Sequence, residues 1–84
     1  MIHELKTVSP YFDAVYDGIK TFEIRTNDRD FKYGDTVILK EYDADKNAYS
    51  GRVVSAKVGF ITDFEQKDGY VVFSLMDIKT GWHE

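Results

Sequence analysis

Three charged side chains of mixed sign lie close together in the first third of the chain. Lys20, Glu23 and Arg25 fall within six residues. If residues 21–25 form a strand, Glu23 and Arg25 leave the same face a few ångströms apart. A lysine that loses its proton can act as a base, and a carboxylate can hold or activate a water. A carboxylate beside a lysine favours the charged ammonium, however, which works against a lysine base.

The loop after this strand adds more charge. Asp28, Arg29 and Asp30 follow within five residues of Arg25. A strand that only faces solvent does not need so many long polar side chains at one end. From spacing alone, the simpler interpretation is structural: Arg25 and Glu23 form a surface ion pair worth about 0–1 kcal/mol, and Arg29 ties down the loop. A ligand site is the alternative.

The composition limits the kinds of protein that fit this pattern. The chain has 84 residues, among them six Phe, six Tyr and one Trp, and it predicts one folded domain over 1–84. The absence of cysteine excludes a disulfide framework and a thiolate nucleophile. A net charge of −4 argues against broad, non-specific phosphate binding. We expect a cytoplasmic protein with no membrane segment.

No motif for a cofactor or a metal stands out. The chain lacks a glycine-rich nucleotide loop. Its two histidines, His3 and His83, are eighty residues apart and would meet only through folding. We therefore expect no cofactor and no metal site.

Five short strands and one early helix account for the hydrophobic pattern. Alternation of polar and apolar residues predicts strands over 3–6 and 21–25, and apolar segments bounded by turn residues predict strands over 36–42, 53–61 and 70–76. Between the first two, Ser9 is expected as the N-cap and Pro10 as the first residue of a short helix. Apolar spacing gives that helix one buried face, made of Phe12, Val15, Tyr16 and Ile19. Short strands at this spacing favour a small closed or half-open barrel.

The second strand has two distinct faces. We expect Phe22 and Ile24 to point to the core, and Thr21, Glu23 and Arg25 to point to the other side.

Glycines and the chain end complete the pattern. Gly18 is expected as a left-handed residue after the helix, and Gly59 as a β-bulge. Residues 26–34 are predicted as a long loop. Trp82 is expected either to pack on the barrel or to lie in a mobile tail.

The charged stretch resembles the signature of a known domain family. Residues 18–25 read Gly-Ile-Lys-Thr-Phe-Glu-Ile-Arg, which is similar to the GxKxxExR signature of ASCH domains, named after the activating signal cointegrator homology region. The wider match, to small bacterial and phage ASCH-like proteins, runs over residues 3–52 and rests on His3, Leu5, Lys6, Tyr11, Phe12, residues 27–31, Gly34 and Asp35. The resemblance implies an α+β, mostly β fold: a PUA-like pseudo-barrel of five to six strands with one short early helix.

The resemblance also implies a ligand. ASCH domains are thought to bind RNA or modified nucleotides in a cleft beside the helix, so Lys20, Glu23 and Arg25 would line that cleft here. Lys20 and Arg25 suit a phosphate or a base edge, and Glu23 can accept a hydrogen bond from an exocyclic amine. Asn27 and Arg29 are candidates on the adjoining loop.

Two aromatic residues near the start of the helix are further candidates, because an exposed ring can stack a base. Phe12 falls on the apolar face, so core packing is its preferred interpretation. For Tyr11, core packing and base stacking both remain open.

Some ASCH proteins are amidohydrolases that deacylate N4-acetylcytidine, and the resemblance implies a Lys, a Thr hydroxyl and a later Glu acting together in them. Here Lys20 matches the lysine, but Glu23 stands where the Thr would be, and Thr21 lies at the wrong position to replace it. We therefore expect a binding module for RNA or a nucleotide-like ligand. A small amidohydrolase and a regulatory protein-interaction module are the alternatives.

Overall fold

The computed structural model describes residues 1–82, which form one sheet and one helix. The elements are β1 (Ile2–Thr7), α1 (Tyr11–Tyr16), β2 (Phe22–Thr26), β3 (Thr36–Asp43), β4 (Ala48–Thr62) and β5 (Tyr70–Trp82). Both β4 and β5 are longer than predicted, because their pairing continues through polar residues that alternation does not mark. Within residues 1–82, no helix is long and apolar enough to span a membrane.

The strands follow the order β1-β3-β4-β5-β2 in a single sheet. β1 is parallel to β3, and the other neighbours are antiparallel. The sheet curls into a half-barrel, which leaves β1 and β2 as its two edges. A mostly β architecture with one short early helix confirms the predicted fold class at that level.

The concave face of the sheet carries the hydrophobic core, and α1 packs on it. Phe12 and Val15 of the helix are fully buried, so the prediction of Phe12 as a core residue is confirmed. Alternating residues of three strands supply most of the remaining core: Val37, Leu39, Val54, Ala56, Val58, Val71, Phe73 and Leu75. Burial of this apolar surface, worth about 25 cal/mol per Å², stabilises the fold.

The start of α1 differs from the prediction. The helix begins at Tyr11, and Pro10 occupies the N-cap position without a side-chain cap. Ser9 does not cap the helix; its hydroxyl donates a hydrogen bond of 3.3 Å to Oε2 of Glu41 on β3. Ser9 thus bonds to a residue distant in the sequence instead of to the first turn of the helix.

The end of α1 also differs from the prediction. The helix stops at Tyr16, and Gly18 adopts the expected left-handed conformation with a φ of +78°. The amides of Ile19 and Lys20 then both bond to the carbonyl of Ala14 at 2.9 Å. Ile19 therefore lies beyond the helix and is 80% exposed, so its placement on the buried face was wrong.

β2 turns its charged residues inward, which is opposite to the predicted orientation. Phe22 and Ile24 are 43% and 50% exposed, whereas Glu23 is 3% exposed. Glu23 pairs with the core residue Phe73, so Glu23 and Arg25 share the concave face of the sheet. Alternation shows that the two faces of a strand differ, but it does not show which one is inside when the polar face brings its own ion-pair partners.

Two smaller predictions concern β4 and the chain end. The bulge predicted at Gly59 is present, because the β4–β5 register shifts between Val58 and Ile61. Trp82 is neither packed on the barrel nor in a tail: it ends β5, pairs with Arg52 and is 68% exposed.

Candidate functional site

A cleft opens where the two edge strands of the half-barrel face each other. The end of β1 and the start of α1 form one wall, and β2 with the residues just before it forms the other. This edge cleft has a volume of about 480 Å³ and is lined by Lys6, Thr7, Val8, Tyr11, Lys20, Phe22, Glu23, Ile24 and Arg25. Its size is within the range of small-ligand sites.

The carboxylate of Glu23 is buried in the wall of the edge cleft and is held by two cations. Lys20 Nζ donates a hydrogen bond to Oε2. Nε and Nη2 of Arg25 lie 3.0 and 2.9 Å from Oε1. A buried carboxylate without such partners would be strongly unfavourable. Glu23 therefore fixes the positions of Lys20 and Arg25, and both of its oxygens are engaged.

Arg25 also reaches across the cleft to the other edge strand. Its Nη1 donates to the backbone carbonyl of Lys6 at 3.1 Å, and its Nη2 donates to Oγ1 of Thr7 at 2.9 Å. Thr7 is 5% exposed, and its hydroxyl donates in turn to the carbonyl of Leu5 at 3.3 Å. The guanidinium thus links β2 to the end of β1.

Lys20 covers the free edge of β2. Its Nζ donates to the backbone carbonyl of Phe22 and lies 4.8 Å from the centroid of the Phe22 ring, a cation–π arrangement. β2 is bonded to β5 on its other side, so this carbonyl lies at the edge of the sheet. A lysine placed here discourages another strand from pairing with β2.

The edge cleft is electropositive although the chain is acidic. The residues that line it include three cationic ones, Lys6, Lys20 and Arg25, and one with a carboxylate, Glu23. Such a local excess of positive charge favours an anionic ligand. Exposed rings stand on both walls, since Tyr11 is 59% exposed and Phe22 is 43% exposed.

The two predicted loop residues lie outside the edge cleft. Oδ1 of Asn27 accepts a hydrogen bond of 3.1 Å from the amide of Phe31, which holds the loop. Arg29 lines a smaller neighbouring hollow of about 160 Å³ that shares Lys6 and Arg25 with the cleft. The structure thus brings Tyr11, Lys20, Glu23 and Arg25 together, with Arg29 next to them and Asn27 in a structural position.

Sequence reasoning missed the wall contributed by β1. Thr7 and Val8 had no assigned role, and Phe22 and Ile24 were assigned to the core rather than to the lining. The sequence does contain one local sign of this wall. Thr7 is polar, yet it stands at one of the alternate positions of β1 whose side chains are buried. A buried threonine needs a hydrogen-bond partner, and here that partner is Arg25.

A separate polar network anchors α1, and with it Tyr11, beside the edge cleft. Arg52 of β4 donates to Oδ1 of Asp13 on α1 at 2.6 Å and to both oxygens of Glu41 at 2.7 and 2.9 Å. The hydrogen bonds from Arg52 lower the pKa of Glu41 from 4.5 to about 2. The two carboxylates in turn raise the pKa of Arg52. Arg52 also lies over the ring of Tyr16, 4.8 Å from its centroid.

His3 is a buried residue that packs against the core. Its ring is 3% exposed, lies 4.7 Å from the ring of Phe31, and places Nε2 2.8 Å from Oδ2 of Asp35. This hydrogen bond lowers the pKa of Asp35. His83, the second histidine of the sequence, lies outside the described residues. Among residues 1–82, no three side chains of the usual metal-binding types are grouped for a metal ion.

Comparison with known proteins gives a family. A family model described as "Domain of unknown function (DUF3850)" matches residues 2–75. An "Uncharacterized 12.9 kDa protein in GpA 3'region" of Escherichia phage P2 is 42% identical over 62 residues, which cover 74% of this chain and 55% of the phage protein. The chain thus spans about half the length of this relative. The edge cleft lies within the matched region, since its lining residues fall between residues 6 and 25.

Proposed function

The chain belongs to the family described as domain of unknown function DUF3850, and we propose that it is a binding protein that holds RNA or a nucleotide-like ligand in its edge cleft. The observation that carries this proposal is the charge of the lining. Three cationic residues, Lys6, Lys20 and Arg25, line the cleft together with one carboxylate residue, Glu23, on a chain with a net charge of −4. The site is therefore suited to an anion although the chain as a whole is acidic.

The cleft offers a surface for the base of a nucleotide and another for its phosphate. The exposed ring of Tyr11 on one wall and that of Phe22 on the other are available for base stacking. Lys6 and Lys20 offer ammonium groups to a phosphate. A purely apolar ligand would make no use of the ammonium groups, and a free phosphate would leave the rings uncovered.

The hydrogen-bond inventory assigns different roles to the charged residues. A lysine has three N–H groups and an arginine has five. Within the part of the chain that the structure describes, two N–H groups of Lys20 and three of Arg25 donate hydrogen bonds, which leaves one on Lys20 and two on Arg25 for a ligand. Glu23, whose oxygens are both engaged, orients these cations rather than contacting a base.

The proposal includes the fold family and the compartment. The residues of the GxKxxExR signature line a cleft beside α1, where the ASCH resemblance places a ligand, and the half-barrel has its helix early in the chain. We therefore assign the chain to the PUA-like ASCH domains. A ligand of this class also agrees with a cytoplasmic location.

A small amidohydrolase acting on acylated nucleosides is the weaker alternative. Lys20 Nζ donates to Glu23 and to the carbonyl of Phe22, so it does not present a free amine that could act as a base. Release of cytidine from N4-acetylcytidine by the purified protein, lost in Lys20→Gln, would favour the enzyme over the binding protein.

A protein-interaction module is the other alternative, and exposed apolar side chains on β2 and β4 favour it. Phe22 and Ile24 on β2 are half exposed, and Phe60 on β4 is 76% exposed. Co-purification from a host lysate with and without ribonuclease separates the two interpretations. A partner retained after ribonuclease treatment, together with no binding of RNA by the pure protein, would favour the protein-interaction module.

The test of the proposed function is calorimetric titration of the pure protein with nucleoside monophosphates and short RNA oligomers. A ligand present at 100 times its Kd also raises the free energy of unfolding by about 2.7 kcal/mol, which a thermal-unfolding screen detects. We expect Tyr11→Ala to weaken binding about tenfold, as loss of a stacked base does. Tyr33→Ala is the matched control, because Tyr33 is 73% exposed and outside the cleft. No binding of any probe would overturn the proposal.

A further inference from the structure

A second groove lies at the end of β3 and the start of β4, far along β4 from the bulge at Gly59. Two exposed rings border it: Tyr49 is 51% exposed and Trp82 is 68% exposed. This aromatic groove has a volume of about 530 Å³ and is lined by Lys40, Glu41, Tyr49, Ser50, Gly51, Arg52, Val53 and Trp82. Exposed rings next to a lysine and an arginine combine a surface for stacking with cations that suit a phosphate.

Lysines and aromatic rings connect the edge cleft to the aromatic groove. Lys6, which lines the edge cleft, places Nζ 4.1 Å from the centroid of the Tyr42 ring. Tyr42 meets Tyr49 edge to face, with ring centroids 5.1 Å apart. Lys40, which lines the aromatic groove, places Nζ 4.9 Å from the centroid of Tyr49. A cation, two rings and a second cation thus follow one another from one hollow to the next.

The sheet register gives the length of this connection. Lys6 is opposite Lys40, Lys40 is opposite Val53, and Val53 is opposite Gly81, the neighbour of Trp82. The path therefore crosses three strand spacings of about 4.8 Å, which is about 14 Å in total. One nucleotide in the edge cleft does not cover this distance, whereas a short single strand does.

The negative charges along the path are partly compensated. Two carboxylates are paired, Glu41 with Arg52 at 2.7 Å and Glu4 with Lys40 at 3.2 Å. The unfavourable charges are those of Asp43 and Asp45, which line a third hollow. That hollow shares Val8 with the edge cleft and Glu41 and Ser50 with the aromatic groove, so a strand that follows the lysines passes next to these two carboxylates.

We propose that the edge cleft and the aromatic groove are two parts of one track for a single-stranded oligonucleotide, with successive bases stacked at Tyr11, Tyr49 and Trp82. This inference rests on the proposed function, since it takes the edge cleft as the first nucleotide site. It narrows the ligand class to a strand of several nucleotides. Rings that stack bases next to cations that hold the backbone are how proteins bind single strands with little regard to sequence.

The experiment uses the single tryptophan as its probe. Trp82 is the one Trp of the chain, so quenching of tryptophan fluorescence reports on the aromatic groove alone. The 84-residue protein is titrated with octamers of uridylate, adenylate and cytidylate, their deoxy counterparts, and the 5′-monophosphates, with N-acetyltryptophanamide titrated in parallel to correct for absorbance. Calorimetry on the same samples reports binding anywhere on the protein. The deoxy arm distinguishes RNA from DNA.

We expect the octamers to quench Trp82 and the monophosphates to bind without quenching it. Affinity should rise with length up to roughly four nucleotides, the short end of the site sizes of single-strand-binding barrels. Tyr49→Ala should weaken the octamer about tenfold and leave the monophosphate unchanged. Phe64→Ala, which removes a ring that is 74% exposed and lies outside both hollows, is the matched control.

The outcomes separate this inference from the proposed function. Monophosphates that bind, with octamers that bind no tighter and do not quench Trp82, would overturn the track and leave the proposed function standing. Octamers that bind tighter but are equally affected by Tyr49→Ala and Phe64→Ala would overturn the track as well. No binding of either class would overturn both.

Discussion

Arg25 on β2 donates a hydrogen bond of 2.9 Å to the hydroxyl of Thr7 on β1, so that one side chain joins the two edge strands of the sheet. Its guanidinium also bonds to the carbonyl of Lys6 and to the buried carboxylate of Glu23. Side-chain bonds thus close the side of the half-barrel where a complete barrel would have a backbone ladder. The residues that close the fold also line the edge cleft, so stability and binding are coupled at this point.

Replacing Arg25 by Ala should lower the free energy of unfolding by about 2–4 kcal/mol, because it leaves the buried carboxylate of Glu23 with Lys20 alone and frees the hydroxyl of Thr7. Urea unfolding followed by circular dichroism measures the change. Arg29→Ala is the control: Arg29 is exposed, and its loss should change stability by less than about 0.5 kcal/mol. Similar losses in the two variants would contradict this account of Arg25.

Removing the carboxylate as well should recover part of that loss. In the double variant Arg25→Ala/Glu23→Gln, the buried carboxylate that would lack its arginine is gone, so its destabilisation should be smaller than the sum of the two single changes by at least about 1 kcal/mol. A double-mutant cycle from urea unfolding gives this coupling. Additive single changes would show that the two side chains do not depend on each other.

Binding in the edge cleft should weaken as salt is added, and Lys6 should carry part of that dependence. Lys6→Gln should weaken the binding of an oligonucleotide octamer and reduce the slope of log Kd against log salt by about 0.7–1, the effect of one lost phosphate contact. Lys46→Gln, on the exposed turn between β3 and β4, is the matched control. Equal slopes for Lys6→Gln and the wild type would remove Lys6 from the phosphate contacts.

Local chemistry was sufficient to predict the elements. The pattern of polar and apolar residues located all five strands. Gly18 takes its left-handed conformation because it lacks a Cβ, and Gly59 marks a bulge. Phe12 falls in the core because helical spacing places it beside Val15. Each of these features depends on residues near each other in the chain, which is why the sequence alone indicates them.

The features that failed depend on partners distant in sequence. The inward face of β2 is decided by Arg25 reaching Thr7, eighteen residues away, and Ser9 leaves the helix start for Glu41, thirty-two residues away. The length of β4 depends on its pairing with β5. In each case a long-range hydrogen bond or ladder outweighs the local preference, and no spacing within one segment records it.

Gly59 should not tolerate a side chain, although Gly81 should. A Cβ at Gly59 would be 2.3 Å from Oγ of Ser74, and that hydroxyl accepts a hydrogen bond of 3.0 Å from the amide of Phe60. Gly59→Ala should therefore lower the free energy of unfolding by about 1–3 kcal/mol, the usual cost of overpacking. At Gly81 the nearest atom to a Cβ is 3.9 Å away, which is ordinary contact, so Gly81→Ala should be close to neutral. Adding Ser74→Ala to Gly59→Ala should restore part of the stability, and no restoration would show that the overlap lies elsewhere.

Acid should weaken the polar network around Arg52 that anchors α1, because Glu41 becomes protonated. Hydrogen bonds from Arg52 lower the pKa of Glu41 from 4.5 to about 2 in the folded chain. Because the pKa is lower in the folded than in the unfolded chain, this contribution to stability is fully present above about pH 4.5 and is lost as the pH falls towards 2. The hydrogen bond to His3 also lowers the pKa of Asp35, so protonation of Asp35 in acid lowers the free energy of unfolding as well.

Comparison of the wild type with Glu41→Gln isolates the part that belongs to Glu41. The Gln variant should be less stable at neutral pH, because Arg52 loses its charged partner on β3 while keeping Asp13. The difference in free energy of unfolding should narrow as the pH falls below about 4.5 and should be smallest near pH 2, where the wild-type carboxyl also becomes neutral. Asp45→Asn, on the exposed turn, is the control and should follow the wild type throughout. Urea midpoints at intervals over this pH range measure the difference; if it stays constant from neutral pH to pH 2, the ion pair of Glu41 with Arg52 does not stabilise the fold.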